Sequence, residues 1–235
     1  MSNVMTGRQT LIFDGDDTLW ENNVYFERAI DDFIRWLDHG TLSPSEVRAV
    51  IDEIEHANIA VHGYGSAAFG HSLRETSARL RAQDLGESEL ATVMGFAGRI
   101  LNQPVKVMAG VEETLAILAV RHDLSLLTKG QDEEQRLKID RSGLARYFGH
   151  RFVVPEKDVD VYRTVLRELG SAAASTWMIG NAPRSDVNPA LAAGLNAVFI
   201  PHDQTWVLEH QELNEAPTGE RRLTIERFAD LPRHL

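Results

Sequence analysis

The sequence contains no cysteine. Disulfides, thiolate metal sites and a cysteine nucleophile are therefore excluded. No apolar run approaches the ~20 residues that a membrane span requires. The first ten residues, MSNVMTGRQT, are polar and lack the apolar stretch of a signal peptide. A soluble, cytoplasmic chain without a membrane partner is expected. Basic residues are in deficit, with 24 Lys and Arg against 35 Asp and Glu and a net charge of −11. Nucleic-acid binders neutralise phosphates with a basic face, so no nucleic-acid partner is expected. An acidic chain that binds a phosphorylated anion has to build a local positive site, from a metal, a lysine and main-chain N–H groups. Repeats and low-complexity segments are also absent. What remains is ordinary for a globular protein: 235 residues, 43% hydrophobic and 25% charged, enough for one large domain or a core plus a smaller module.

Five short segments contain continuous apolar runs, the pattern of strands buried on both faces. They are Leu11–Phe13, Leu124–Thr128, Arg151–Pro155, Thr176–Gly180 and Asn196–Pro201. Helical patterns separate them at Glu133–Leu144, Val159–Gly170 and Asp186–Leu195. Strand–helix–strand repetition predicts an α/β fold, an open parallel sheet with helices on both faces. Ligands in such sheets bind at the carboxyl ends of the strands.

The interval 20–106 breaks this rhythm and contains no convincing strand. Phe26, Ile30, Phe33, Ile34 and Leu37 form one helical stripe. Ser43, Pro44 and Glu46 compose a helix start with a capping box, followed by Val47, Val50, Ile51 and Ile54 on one face. Phe69–Gln83 and Glu87–Gln103 read as two further helices. About four helices inserted after the first strand predict a small bundle. The expected division is an α/β core over 1–19 and 107–235 and a helical module over 20–106. The tail from His202 onward is polar and mixed.

The strand ends carry chemistry. The first ends in Asp14-Gly15-Asp16-Asp17-Thr18, the second in Thr128-Lys129-Gly130, the third is followed by Glu156-Lys157-Asp158, and the fourth ends in Gly180-Asn181 before Ser185-Asp186. Crowded like charges are costly unless something positive sits among them. With these residues the chain resembles the haloacid dehalogenase-like (HAD) superfamily of hydrolases, in its phosphatase branch with a helical cap. Asp14-x-Asp16-x-Thr18 matches the first motif, Thr128 the second, Lys157 the third and IGNAPRSD the fourth. The resemblance spans roughly 9–201. It implies a doubly wound, Rossmann-like core, with the helical insert as a cap that closes over the site and reads the leaving group. Lys157 is followed by Asp158 where relatives usually carry proline, and Asn181 stands where aspartate is commoner.

The expected activity is hydrolysis of a small phosphorylated metabolite with Mg²⁺, which takes hard oxygen ligands and one or two carboxylates. Asp14 is the candidate nucleophile, forming an aspartyl-phosphate. Asp16 is the candidate acid for the leaving alcohol and base for the hydrolytic water. Thr128, Lys157 and N–H groups near Gly15 are expected to hold the phosphoryl oxygens. Lys129 is a rival cation, although strand alternation should turn it away from Thr128. Asp14 and Asp186 are the carboxylate candidates for the metal. The resemblance adds the Asp16 main-chain carbonyl, and Asn181 is a further metal-site candidate. Asp17 reads as structural.

His56, His62 and His71 lack the spacing of one helical face, so a zinc site is not expected. The glycines of His62–Gly70 suit a loop near the site, and His202–Trp206 reads as surrounding shell. A phosphomutase or phosphotransferase, a 2-haloacid dehalogenase on the same scaffold, and a non-catalytic binding protein are the competing functions. A monomer and a homodimer are both open.

Overall fold

The computed structural model describes residues 7–81, 84–217, 219 and 221–235. The opening residues 1–6 and the last two of the predicted helix Phe69–Gln83 lie outside these. The chain divides into two compact units, Met1–Asn22 with Val105–Leu235, and Asn23–Pro104.

The first unit is built on a six-stranded sheet in which every pairing is parallel. Its strands are β1 (Thr10–Phe13), β2 (Asp123–Lys129), β3 (His150–Val154), β4 (Thr176–Gly180), β5 (Asn196–Phe199) and β6 (Arg222–Thr224). They lie in the order β3-β2-β1-β4-β5-β6. Order reverses between β1 and β4, so their carboxyl ends open on the crevice where doubly wound sheets bind ligands. Alternation along the strands sends side chains to opposite faces. Leu11, Phe13, Leu126, Trp177 and Ile179 pack on one face with Val111, Leu115 and Leu118 of α5 (Val111–Arg121). Ile12, Leu127 and Met178 pack on the other with Tyr162 and Val165 of α7 (Val159–Leu169) and Ala190 of α8 (Asn188–Ala192). The fold is thus the expected α/β, doubly wound parallel sheet. The sixth strand is an addition: β6 lies in the polar tail and pairs with β5 through Ala197, Val198 and Phe199.

Among its described residues the second unit holds the α-helices α1 (Asn23–Leu37), α2 (Pro44–His62), α3 (Ser66–Arg81) and α4 (Glu87–Gly98). The capping box forms as the sequence indicates: Ser43 accepts from the Glu46 N–H while Glu46 accepts from the Ser43 N–H. Ile30, Phe33, Ile51, Leu73, Val93 and Phe96 form the shared core. Across the α2–α3 connection the His62 and His71 rings stack with centroids 4.9 Å apart. Nine residues of sequence separate them, but the hairpin brings them together. Among the described residues, no group of three or more His, Asp or Glu side chains is gathered for a metal ion. Nor is any helix there long and apolar enough to cross a membrane.

One buried acid in this unit sets a pH dependence. Glu55 on α2 is 9% exposed, and its Oε2 has no hydrogen-bond partner. Burial, and then the charge of Asp52, push its carboxyl up to about 8, against the pull of Arg48. A folded value above the unfolded one means the unfolded chain sheds its proton first. The stability associated with a neutral Glu55 is therefore fully present below about pH 4.5 and lost as pH rises toward 8. Glu55→Gln is expected to flatten the fall in stability between pH 5 and 8 by roughly 2–3 kcal/mol. Denaturant titrations at both pH values check this, and identical slopes for the two proteins would refute it.

Candidate active site

The site grows from the ends of β1 and β4. After Phe13 the chain turns sharply, and the Gly15 carbonyl accepts from the Leu19 N–H at 2.8 Å. Asp17 takes up a left-handed conformation (φ 59°), and its Oδ1 accepts from the Asn22 N–H. That bond ties down the loop after Phe13. Gly15 is required because a Cβ there would fall 2.7 Å from the Trp20 ring. β4 ends on Gly180 for a similar reason: a Cβ would overlap the Asp186 carboxylate. The helix expected over Asp186–Leu195 is α-helical only at Asn188–Ala192. Pro183–Val187 winds as a π-helical turn before α8, an irregularity frequent at functional sites. It folds Asp186 back so that Oδ2 accepts from the Ala182 N–H at 2.9 Å.

Three charged groups meet there. The Lys157 ammonium donates to Asp14 Oδ1 at 2.5 Å and to Asp186 Oδ1 at 2.8 Å. All three residues are buried. Burial, and then the Asp186 charge, push the Asp14 carboxyl up to about 7, even though Lys157 opposes the shift. Burial alone would lower Lys157, but the two carboxylates outweigh it and raise its affinity for the proton. On the other side Thr18 Oγ1 lies 3.0 Å from Asp14 Oδ2 and 3.1 Å from Asn181 Oδ1. Asp14, Lys157, Asp186 and Asn181 are therefore brought into one cluster, with Thr18 as a member that the motif named without a role.

Asp16 faces a different set of partners. Its carboxylate accepts from Trp20 Nε1 at 2.7 Å, Gln135 Nε2 at 2.9 Å and Lys138 Nζ at 2.7 and 2.8 Å. Burial would raise it, but Lys138, with Gln135 and Trp20, holds it below the usual carboxylate range. Gln135 also accepts from Thr128 Oγ1 at 3.1 Å, linking the β2 end to the β1 loop. A Cβ on Gly15 would lie 3.4 Å from the same hydroxyl, so Thr128 and Gly15 are neighbours. Gln135 and Lys138 were not anticipated. They lie three residues apart on α6 (Asp132–Ser142), a spacing that puts both on one face.

Lys129 does not join the cluster as a phosphate ligand. Its ammonium contacts Glu209, Ser185 Oγ at 2.8 Å and Glu156 at 3.3 Å. The pleat accounts for the correction, since successive strand residues point to opposite faces.

The donors suit a hard divalent cation. Two buried carboxylates, Asp14 and Asp186, meet with an amide oxygen, and the repulsion that raises Asp14 is what a cation would relieve. Sulfur and imidazole ligands are lacking at this cluster, which favours Mg²⁺ over zinc.

Comparison with known proteins gives the family. A model of haloacid dehalogenase-like hydrolases matches residues 9–194. A crystal structure of a haloacid dehalogenase-like hydrolase from Xanthomonas campestris is 31% identical, with a TM-score of 0.81 over 97% of this chain and 94% of that one. A 2-haloacid dehalogenase from Pseudomonas syringae pv. tomato DC3000 shares the fold at 20% identity and a TM-score of 0.62, covering 97% of each chain. A phosphoserine phosphatase from Thermus thermophilus is 33% identical over 82 residues, a match spanning a third of each protein. With the family model covering most of its length and the strand-end residues gathered at the sheet's switch point, the chain belongs to the haloacid dehalogenase-like hydrolases.

Proposed function

We propose that this hydrolase cleaves a small phosphomonoester through an aspartyl-phosphate on Asp14. The observation that carries the reading is the Asp14–Lys157–Asp186 cluster, with a second, separately held carboxylate two residues along the same loop. Asp14 attacks phosphorus, the ester P–O bond breaks, and the departing alkoxide takes a proton from Asp16. Water then attacks the acyl phosphate. Asp16 takes the water's proton, inorganic phosphate leaves, and the Asp14 carboxylate is restored. As held by Lys138, Asp16 is an anion and suited to the second step. The first step requires it to take up a proton. Lys157 and the Thr128 hydroxyl supply donors to the phosphoryl oxygens.

The Asp14 and Asp186 carboxylates, the Asn181 amide oxygen and the Asp16 main-chain carbonyl would hold Mg²⁺. Bound there, the ion would screen a phosphate dianion from the attacking carboxylate and stabilise the charge that develops on the phosphoryl oxygens.

The similarity to a phosphoserine phosphatase supports phosphate as the group transferred. The fold shared with a 2-haloacid dehalogenase keeps attack on carbon as the second reading. Asp16 favours phosphorus, since a departing halide needs no proton whereas an alkoxide does. A panel of small phosphomonoesters, assayed with Mg²⁺ and with EDTA beside halide release from 2-chloropropionate, separates the two. Phosphate release that requires the metal is expected. Halide release without phosphate release would overturn the proposal, and EDTA-insensitive phosphate release would remove the metal from it.

A further inference from the structure

The segment following β5 runs alongside the loop that carries Asn181 and Asp186. Its bonds repeat at a constant offset of 24 residues: Asn181 with Thr205, Arg184 with the Leu208 carbonyl, Ser185 with Glu209 and Asn188 with the Glu212 carbonyl. A strap of this kind holds the loop at four points. The first of them touches a candidate metal donor.

At that point Asn181 Nδ2 donates to Thr205 Oγ1, which donates in turn to the His202 carbonyl. Thr205 Oγ1 lies 2.8 Å from the His202 carbonyl and 2.8 Å from Asn181 Nδ2. A hydroxyl has one proton and spare acceptor capacity. A carbonyl can only accept, so the proton goes to His202. The hydroxyl must then accept from Asn181, which requires the NH₂ end of the amide to face Thr205. The opposite orientation would lose the Asn181–Thr205 bond, whereas at the inner end a cation can satisfy the amide oxygen that the single Thr18 proton, shared with Asp14 Oδ2, does not. Fixing the NH₂ end outward fixes Oδ1 inward, 3.1 Å from the Thr18 hydroxyl that also faces Asp14. Asn181 is buried, so a mis-turned amide has little water to compensate it. An amide oxygen can ligate a divalent cation, whereas an NH₂ group repels one.

From this chain of bonds we infer that Thr205 is a positioning residue: its hydroxyl holds the Asn181 amide with the oxygen toward Asp14 and so sets the affinity of the site for a divalent cation. The inference rests on the Mg²⁺ reading above. Thr205 lies outside the four strand-end motifs and reaches Asn181 only through the strap.

The test uses the full-length chain and a readout independent of turnover. Wild type, Thr205→Val and Thr205→Ser are titrated with MgCl₂ while thermal unfolding is followed. The valine keeps the shape and loses the acceptor, and the serine keeps the acceptor. Wild type is expected to gain stability with Mg²⁺. In Thr205→Val the half-saturating concentration should rise by about 10–100-fold, the usual cost of removing a group that orients a ligand. Thr205→Ser should titrate like wild type, and the KM for substrate at saturating Mg²⁺ should be the same in all three. Equal half-saturation in wild type and Thr205→Val would overturn the inference alone. So would a serine variant as impaired as the valine one, which guards against mere misfolding. Absence of any Mg²⁺ response in the wild type would overturn the metal reading, and this inference with it.

Discussion

Asp14→Asn is expected to fold and to be inert, with turnover reduced by about 10⁴-fold or more. The two halves of this expectation have separate causes. An asparagine occupies the same volume, its Oδ1 can still accept from Lys157, and its Nδ2 can donate to the Thr18 hydroxyl, which accepts as readily as it donates. The substitution also removes one of the two carboxylates whose mutual repulsion, with burial, lifts Asp14 to about 7. Stability should therefore change little. Chemistry should vanish, because a neutral amide oxygen is a poor nucleophile and no other carboxylate is placed to replace it. Asp186 is turned back onto the Ala182 N–H, and Asp16 onto Lys138. Acid-quenched single turnovers with ³²P-labelled substrate should leave label on the wild-type protein and none on the variant. Unchanged turnover, or label retained on the variant, would remove Asp14 from the mechanism.

The parts of this site that were legible in the sequence share one property: they follow the carboxyl ends of strands. Leu11–Phe13 and Thr176–Gly180 read as strands because both faces are covered, so the apolar run is continuous. Their ends then had to meet at one edge of the sheet, which placed Asp14, Thr128 and Asn181. Strand β6 escaped notice because Arg222–Thr224 is three residues long, lies at the sheet edge and carries no apolar run. Gln135 and Lys138 escaped for another reason. Charged and amide residues three apart on a helix ordinarily mark a solvated face, and nothing local says that the face meets Asp16 across more than a hundred residues of chain. Thr205 lies in His202–Trp206, which read as surrounding shell without a role for any one residue. Its role comes from the strap, and the strap is a tertiary feature. Lys129 shows a sequence rule succeeding where composition misleads: it is a cation beside Thr128, but alternation turns it to Glu209.

Lys157→Met is the complementary case, where the fold should suffer as well as the chemistry. Lys157, Asp14 and Asp186 form a buried triad in which one ammonium serves two carboxylates, and Asp186 is fully buried. Removing the cation leaves two carboxylates facing each other in a dry site. Breaking a buried ion pair from one side costs about 3–5 kcal/mol. The loss should depend on pH in a defined direction. Without the lysine the Asp14 carboxyl, already raised above its unfolded value near 3.8, is raised further. The unfolded chain then releases protons first, so the variant loses stability as pH climbs from about 4 toward neutrality. In the wild type Lys157 opposes that trend, because its charge and hydrogen bond pull the Asp14 carboxyl down, and its raised proton affinity keeps that charge in place at every pH below the ordinary lysine range. The stability gap between the two proteins should therefore be small near pH 4 and wide at pH 7. Mg²⁺ should narrow it at pH 7, since a cation among the carboxylates replaces part of the missing charge, while turnover stays low for want of a donor to the phosphoryl oxygens. Urea denaturation at pH 4.5 and 7, with and without Mg²⁺, measures each arm. A gap independent of pH would mean that Lys157 acts through packing alone, and a gap indifferent to Mg²⁺ would mean that the two carboxylates do not share a cation.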